Sequence, residues 1–151
     1  MKNISTLVPH ALALFITIVF VDSLRFKFSN HPNTETIFSI LNEWAGTLGF
    51  TGLFADNGLF SAYVIGSVEL LASTLLIVGI WKSTRVLQAW GALLALCVMT
   101  GALFFHLFTP LGIDPNNDGG GLFVTAVLVW FGSAILLYVR RNVVLNFFKK
   151  K

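Results

Sequence analysis

Apolar residues run almost unbroken through four stretches of the chain, and the polar residues gather between them. The runs cover about 7–26 ("LVPHALALFITIVFVDSLRF"), 59–81 ("LFSAYVIGSVELLASTLLIVGIW"), 86–109 and 122–138. Each is close to the roughly 20 residues a helix needs to cross a hydrocarbon core of about 30 Å. The last three are apolar nearly all round, which suits helices that face lipid on one side and one another on the other. Pro9 falls in the predicted first turn of the first helix, where its missing N–H costs little. Only "VDSLRFKF" follows that helix, with no small-x-small cleavage site, so the helix reads as a retained span.

The segment 27–58 is too rich in Phe, Ile, Leu and Trp for a solvated loop. "TETIFSILNEW" sets Ile37, Phe38, Ile40, Leu41 and Trp44 at helical spacing. A short amphipathic helix is expected there, capped by Thr34 and lying at the interface or folded over the end of the bundle. "HPN" before it and "ADNG" after it read as turns. The predicted fold is therefore all-α: one domain, an integral membrane four-helix bundle with a short amphipathic helix in its first outer loop. "DNGLF" at 56–60 and "DGGGLF" at 118–123 precede the second and fourth spans alike. Similar helix-entry chemistry explains the echo as well as a duplicated helix pair does.

Composition agrees. The chain is 56% hydrophobic and 11% charged, with mean hydropathy +0.81, whereas soluble domains carry about 25% charged residues. The net charge of +3 is small and dispersed, which argues against a nucleic-acid partner. Cys97 is the only cysteine; it excludes an intrachain disulfide or a cysteine-rich cluster and reads as a small core hydrophobe. Small residues four apart (Ala62 and Gly66, Gly91 and Ala95, Cys97 and Gly101) would let helix backbones approach closely.

The basic residues set the topology. Lys2, Lys82, Arg85, Arg140, Arg141 and Lys149, Lys150 and Lys151 fall on one side; Arg25 and Lys27 fall on the other. Positive residues stay cytoplasmic, so both termini are expected inside. Five carboxylates (Glu35, Glu43, Asp56, Asp114, Asp118) then lie outside.

Two polar residues interrupt the spans. Glu69 lies about ten residues into the second, near the expected midplane, where a carboxylate costs roughly 2.5–3.5 kcal/mol on insertion scales. It must face the interior, paired or protonated. His106 lies near the outer end of the third span, with Ala102, Leu103, Met99 and Ala95 behind it on the same face. Asp22 and Arg25 close the first span, one turn apart, and can pair; a long Arg25 side chain could also bend inward toward Glu69. Asp22, Arg25, Glu69 and His106 together would line an outward-facing polar pocket in an apolar bundle. Such a pocket could hold a small amphipathic ligand such as a quinone head group, or relay protons.

Residues 114–119, "DPNNDG", match the first half of a calcium loop with Asp114, Asn116 and Asp118. The glutamate such a loop requires is replaced by Thr125, so the stretch reads as a turn capping the last helix and no metal is expected. A haem held by two histidines would need His106 with His31, a pair that nothing else in the sequence supports, and no haem is expected.

The layout resembles the DoxX family of small four-helix bacterial membrane proteins over about residues 13–140. The resemblance rests on "SLRFKF" closing the first helix (Arg25, Lys27), on Glu69 within "GSVELLASTLLIVG", and on "MTGALFFHLFTP" (Met99, His106). The chain departs from the family pattern in having no glycine between Arg25 and Lys27. The resemblance implies the bacterial cytoplasmic membrane and a link to quinone chemistry. The family takes its name from a subunit associated with thiosulfate:quinone oxidoreductase and terminal quinol oxidation, other members are tied to redox stress, and animal relatives look like receptor assembly factors. Three functions follow as expectations: a quinone-linked redox component or accessory subunit with a partner protein, a non-catalytic assembly subunit, and a small carrier. The carrier fits least, because the inner halves of the helices offer only His10, Ser73, Thr74, Gln88 and Ser133 and no carboxylate.

Overall fold

A computed structural model describes residues 2–149 of the chain; Lys150 and Lys151, which count toward the basic side in the sequence, lie outside them. The described residues are all-α, with five helices: α1 (Lys2–Lys27), α2 (Pro32–Thr47), α3 (Ala62–Val78), α4 (Arg85–Phe108) and α5 (Gly121–Lys149). Three stretches, Leu7–Lys27, Arg85–Phe108 and Gly121–Asn146, are long and apolar enough to cross a membrane; α3 is apolar but shorter. α1 begins five residues before the predicted span, so Pro9 sits inside the helix and not in its first turn. α5 runs eleven residues past the predicted end at Tyr138, because neither Gly nor Pro follows to stop it.

Each long helix turns one stripe inward, spaced alternately by three and four residues. Ala13, Ile16 and Phe20 form it on α1; Gly66, Glu69, Ser73 and Leu76 on α3; Gln88, Ala92, Ala95 and Met99 on α4; Ala126, Val129, Ser133, Leu136 and Arg140 on α5. α1 and α4 each pack against both α3 and α5 but touch one another only slightly. The outward faces are as greasy as the core: Leu14, Ile18 and Val21 on α1, and Val124, Leu128, Phe131 and Ile135 on α5, are all exposed. Contiguous exposed apolar surface of this extent fits contact with lipid and not with water. The inward stripes, by contrast, carry the buried polar groups.

Glycine sets the closest approach. A Cβ on Gly91 would stand 2.9 Å from the Ala72 carbonyl oxygen and from the Leu76 nitrogen, and one on Gly79 would stand 2.3 Å from the Gln88 nitrogen. Thus α3 and α4 touch backbone to backbone, through Gly91 as the small-residue spacing suggested and through Gly79, which that spacing missed. A Cβ on Gly101, by contrast, would meet only the Phe105 ring, at an ordinary contact distance of 3.9 Å, and Cys97 is exposed and not a core residue. Gly91→Leu is expected to destabilise the protein by about 1–3 kcal/mol through overpacking, read as a lower thermal midpoint in detergent; Gly101→Ala should leave the midpoint unchanged.

α2 closes one end of the molecule. Leu41 and Ala45 pack with Phe54 and Leu111 beneath Trp44 and Phe105. The Trp44 and Phe105 rings meet edge to face at 6.2 Å, and those of Phe54 and Phe105 at 5.2 Å. The Asn42 side-chain oxygen accepts the Phe54 N–H at 3.3 Å, fixing the following loop. The helix starts two residues before the expected cap. His31 is the N-cap, its Nδ1 accepting the Asn33 N–H, while Thr34 is buried in the first turn. Pro32 at the first helical position explains the shift, since its fixed φ favours helix initiation there.

The two similar helix entries prove to be built differently. α3 is capped by Ser61, whose Oγ accepts the Val64 N–H, and Asp56 lies outside the helix. α5 is capped by Asp118, whose carboxylate accepts the Leu122 N–H at 2.8 Å and the Gly120 N–H at 3.0 Å. Asp114 Oδ1 in turn accepts the Asp118 N–H at 2.7 Å. The half calcium motif thus acts as a nested turn that starts α5. The Leu122 N–H, the largest contribution, holds the Asp118 carboxyl below the ordinary aspartate range. A carboxylate with a depressed pKa stabilises the fold above its unfolded pKa and loses that stabilisation as pH falls through the folded value. Asp118→Ala is therefore expected to cost about 1 kcal/mol at neutral pH. In thermal melts the gap from wild type should be constant above about pH 5 and close below about pH 4.

Candidate functional site

The gap between α1 and α4 is a cavity of about 710 Å³, roofed by Ile37, Phe38 and Leu41 of α2 and walled on the far side by Leu122, Thr125 and Ala126 of α5. Its apolar walls include Val19, Phe20, Val98, Met99, Ala102 and Phe105. Its polar lining is Asp22, Ser23, Lys27, Asn33, Thr34, Glu69, His106, Asn116, Asp118 and Thr125.

Glu69 is 2% exposed. Its Oε2 lies 3.1 Å from Lys27 Nζ and accepts the Ser23 hydroxyl at 3.2 Å. Lys27 also donates to Ser23 Oγ, so three side chains close a triangle. The reason lies in the α1 stripe. Continued past Ala13, Ile16 and Phe20 by the same alternation, it reaches Ser23 and then Lys27. Glu69 on α3 and the Ser23–Lys27 pair on α1 thus face each other across the α1–α3 contact. A carboxylate so enclosed is tolerable because it has both a counter-ion and a hydroxyl donor. The level is also set: Glu69 lies beside Ser23, one turn inside the end of α1, and not well below Asp22 and Arg25 as its place in the apolar run implied.

Arg25 does not take part. It pairs with Asp22 at 2.9 Å on the outer surface of α1, with the two side chains 73% and 60% exposed. Residue 25 falls between the positions of the inward stripe, so bending toward Glu69 would have to cross α1 itself. Asp22 and Glu69 line the cavity and Arg25 does not; Lys27 stands in the role considered for Arg25. The stripe is the signal that identifies Lys27.

His106 is 6% exposed, at the cavity end of the α4 stripe. Its Nδ1 lies 2.6 Å from the Gly112 carbonyl oxygen, and its ring meets Phe123 edge to face at 5.6 Å. A carbonyl only accepts, so Nδ1 carries the proton, which leaves Nε2 as the ring nitrogen open to another partner. The contact also ties the turn after α4 back onto its own helix. His31 caps α2 and packs edge to face on Phe26. Asn116 and Asp118 reach the cavity rim while Asp118 caps α5. Comparison with protein-family models, with curated proteins and with solved structures finds no match to this chain.

Proposed function

We propose that the chain is a DoxX-like protein of the bacterial cytoplasmic membrane that binds a quinone in the α1–α4 cavity and works with a partner redox subunit. In this reading α1, α3, α4 and α5 are four spans of one bundle, both termini are cytoplasmic, and α2 lies over the outer end. The observation that carries it is the cavity: about 710 Å³, within the 300–1,000 Å³ of small-molecule sites, with mostly apolar walls and a minority of polar groups that include the Glu69–Lys27 pair and His106. That mixture suits a ligand with a polar ring and a greasy tail.

When bound, a quinone supplies two-electron, two-proton redox chemistry. This chain's residues would supply the binding and the proton management. Lys27 is a donor suited to a carbonyl oxygen. His106, its Nδ1–H already given to Gly112, leaves Nε2 to bond a ligand oxygen. Glu69 with Lys27 and Ser23 can hold or release a proton at the cavity wall with little movement of the backbone.

The test is mass spectrometry of quinones co-purifying with the maltoside-solubilised protein, with titration of a short-tailed quinone followed by tryptophan fluorescence, since Trp44 borders the roof. Retained quinone and saturable quenching are expected. A protein that retains none and shows no saturable quenching overturns the reading.

A further inference from the structure

The end of the molecule opposite the cavity holds a second buried polar cluster. Arg140, the last member of the α5 stripe, is 6% exposed; its Nε donates to Gln88 Oε1 at 2.7 Å, and Gln88 is 0% exposed. Gln88 Nε2 lies 3.5 Å from His10 Nδ1, so α1, α4 and α5 meet here. Arg85, one turn before Gln88, stands within electrostatic reach of both Arg140 and His10. Two guanidiniums therefore share one corner with no counter-ion among the described residues. The sequence supplies none from its side chains: the seven carboxylates are Asp22, Glu35, Glu43, Asp56, Glu69, Asp114 and Asp118, and the only one on α3, α4 or α5 is Glu69, in the Lys27 triangle.

Two donors at the corner are buried without acceptors, Arg140 Nη2 and Arg85 Nε. The start of α4 adds to the demand. Thr84, at its N-cap, makes no cap bond; its hydroxyl turns back to the Val78 and Trp81 carbonyls. The positive end of the α4 dipole thus lies at Arg85, its first residue, with no side-chain cap to offset it. A buried guanidinium with an idle N–H costs stability unless an acceptor arrives. Planar donors on two arginines, beside the positive end of a helix, match the oxygens of a tetrahedral anion. The depth is also right. Arg140 lies 19 residues after Gly121, or roughly 29 Å along α5, about one hydrocarbon thickness.

The geometry points to a phosphate-binding site at the Arg85–Arg140 corner, filled by the headgroup of an acidic phospholipid or by free phosphate. The full chain in maltoside, a detergent without phosphate, tests it. Phosphatidylglycerol, inorganic phosphate, or potassium chloride at matched ionic strength is added, and melting temperature and bound lipid in native mass spectra are read. Saturable stabilisation by phosphatidylglycerol above that by phosphate assigns the lipid; stabilisation by phosphate alone assigns the soluble anion. Arg140→Gln should weaken either response about tenfold, as should Arg85→Gln, which alters a less buried group and guards against misfolding. Arg141→Gln, on the exposed neighbour, should bind as wild type. No response above potassium chloride, or equal loss in Arg140→Gln, Arg85→Gln and Arg141→Gln, overturns the site.

Discussion

Lys27→Met is expected to destabilise the protein by about 3–5 kcal/mol, the cost of leaving a buried charge without its partner. The carboxylate of Glu69 is enclosed, and with Lys27 gone it keeps only the Ser23 hydroxyl. Glu69→Gln should cost much less. Lys27 keeps some exposure, 16% of its side chain, and its flexible stem can carry the ammonium outward. The double variant Lys27→Met with Glu69→Gln should therefore be more stable than Lys27→Met alone. A double-mutant cycle on unfolding in mixed micelles reads the coupling directly. Simple additivity of the two single changes would show that the ion pair is not what holds α1 to α3 at this level.

Filling the cavity gives the second large effect. Ala102 lies on the cavity-facing stripe of α4, between Met99 and His106. Ala102→Phe places a ring where a ligand would sit and touches none of the polar groups. It should weaken quinone binding about ten- to hundredfold, by analogy with the 1–3 kcal/mol of overpacked sites, and leave the thermal midpoint near wild type. Leu128→Phe, on the exposed face of α5, adds similar bulk outside and should change neither. Equal binding in the two variants would place the ligand elsewhere.

Much of the helical layout was legible because long apolar runs and turn residues declare themselves without tertiary information. α2 was legible for the same reason, although its cap was not: Thr34 and His31 are both plausible acceptors, and Pro32 decides between them. The site was legible in part. Glu69 and His106 stand out because a polar group in a greasy run has few places to go. The choice of Lys27 over Arg25 was harder, since α1 is apolar all round and hydrophobicity alone does not mark which face is inside. The small and polar positions mark it, at Ala13, Ser23 and Lys27, but only once the stripe is traced. The Arg85–Arg140 corner was least visible. Arginines near helix ends serve as topology signals in any membrane sequence, and only the packing of Gln88 against Arg140 separates a buried one from its exposed neighbour Arg141.

The brevity of α3 has a consequence for the bilayer itself. Its 17 residues span roughly 25 Å, against roughly 36 Å for the 24 residues of α4. In the four-span reading proposed above, a bilayer that fits α4 overshoots α3, so the acyl chains beside α3 must compress or splay at some cost per ångström of mismatch. The dimple so formed brings water and headgroups nearer to the carboxyl group at the middle of α3 than its place in the sequence implies, and it makes thin, short-chain membranes the environment in which this protein is least strained.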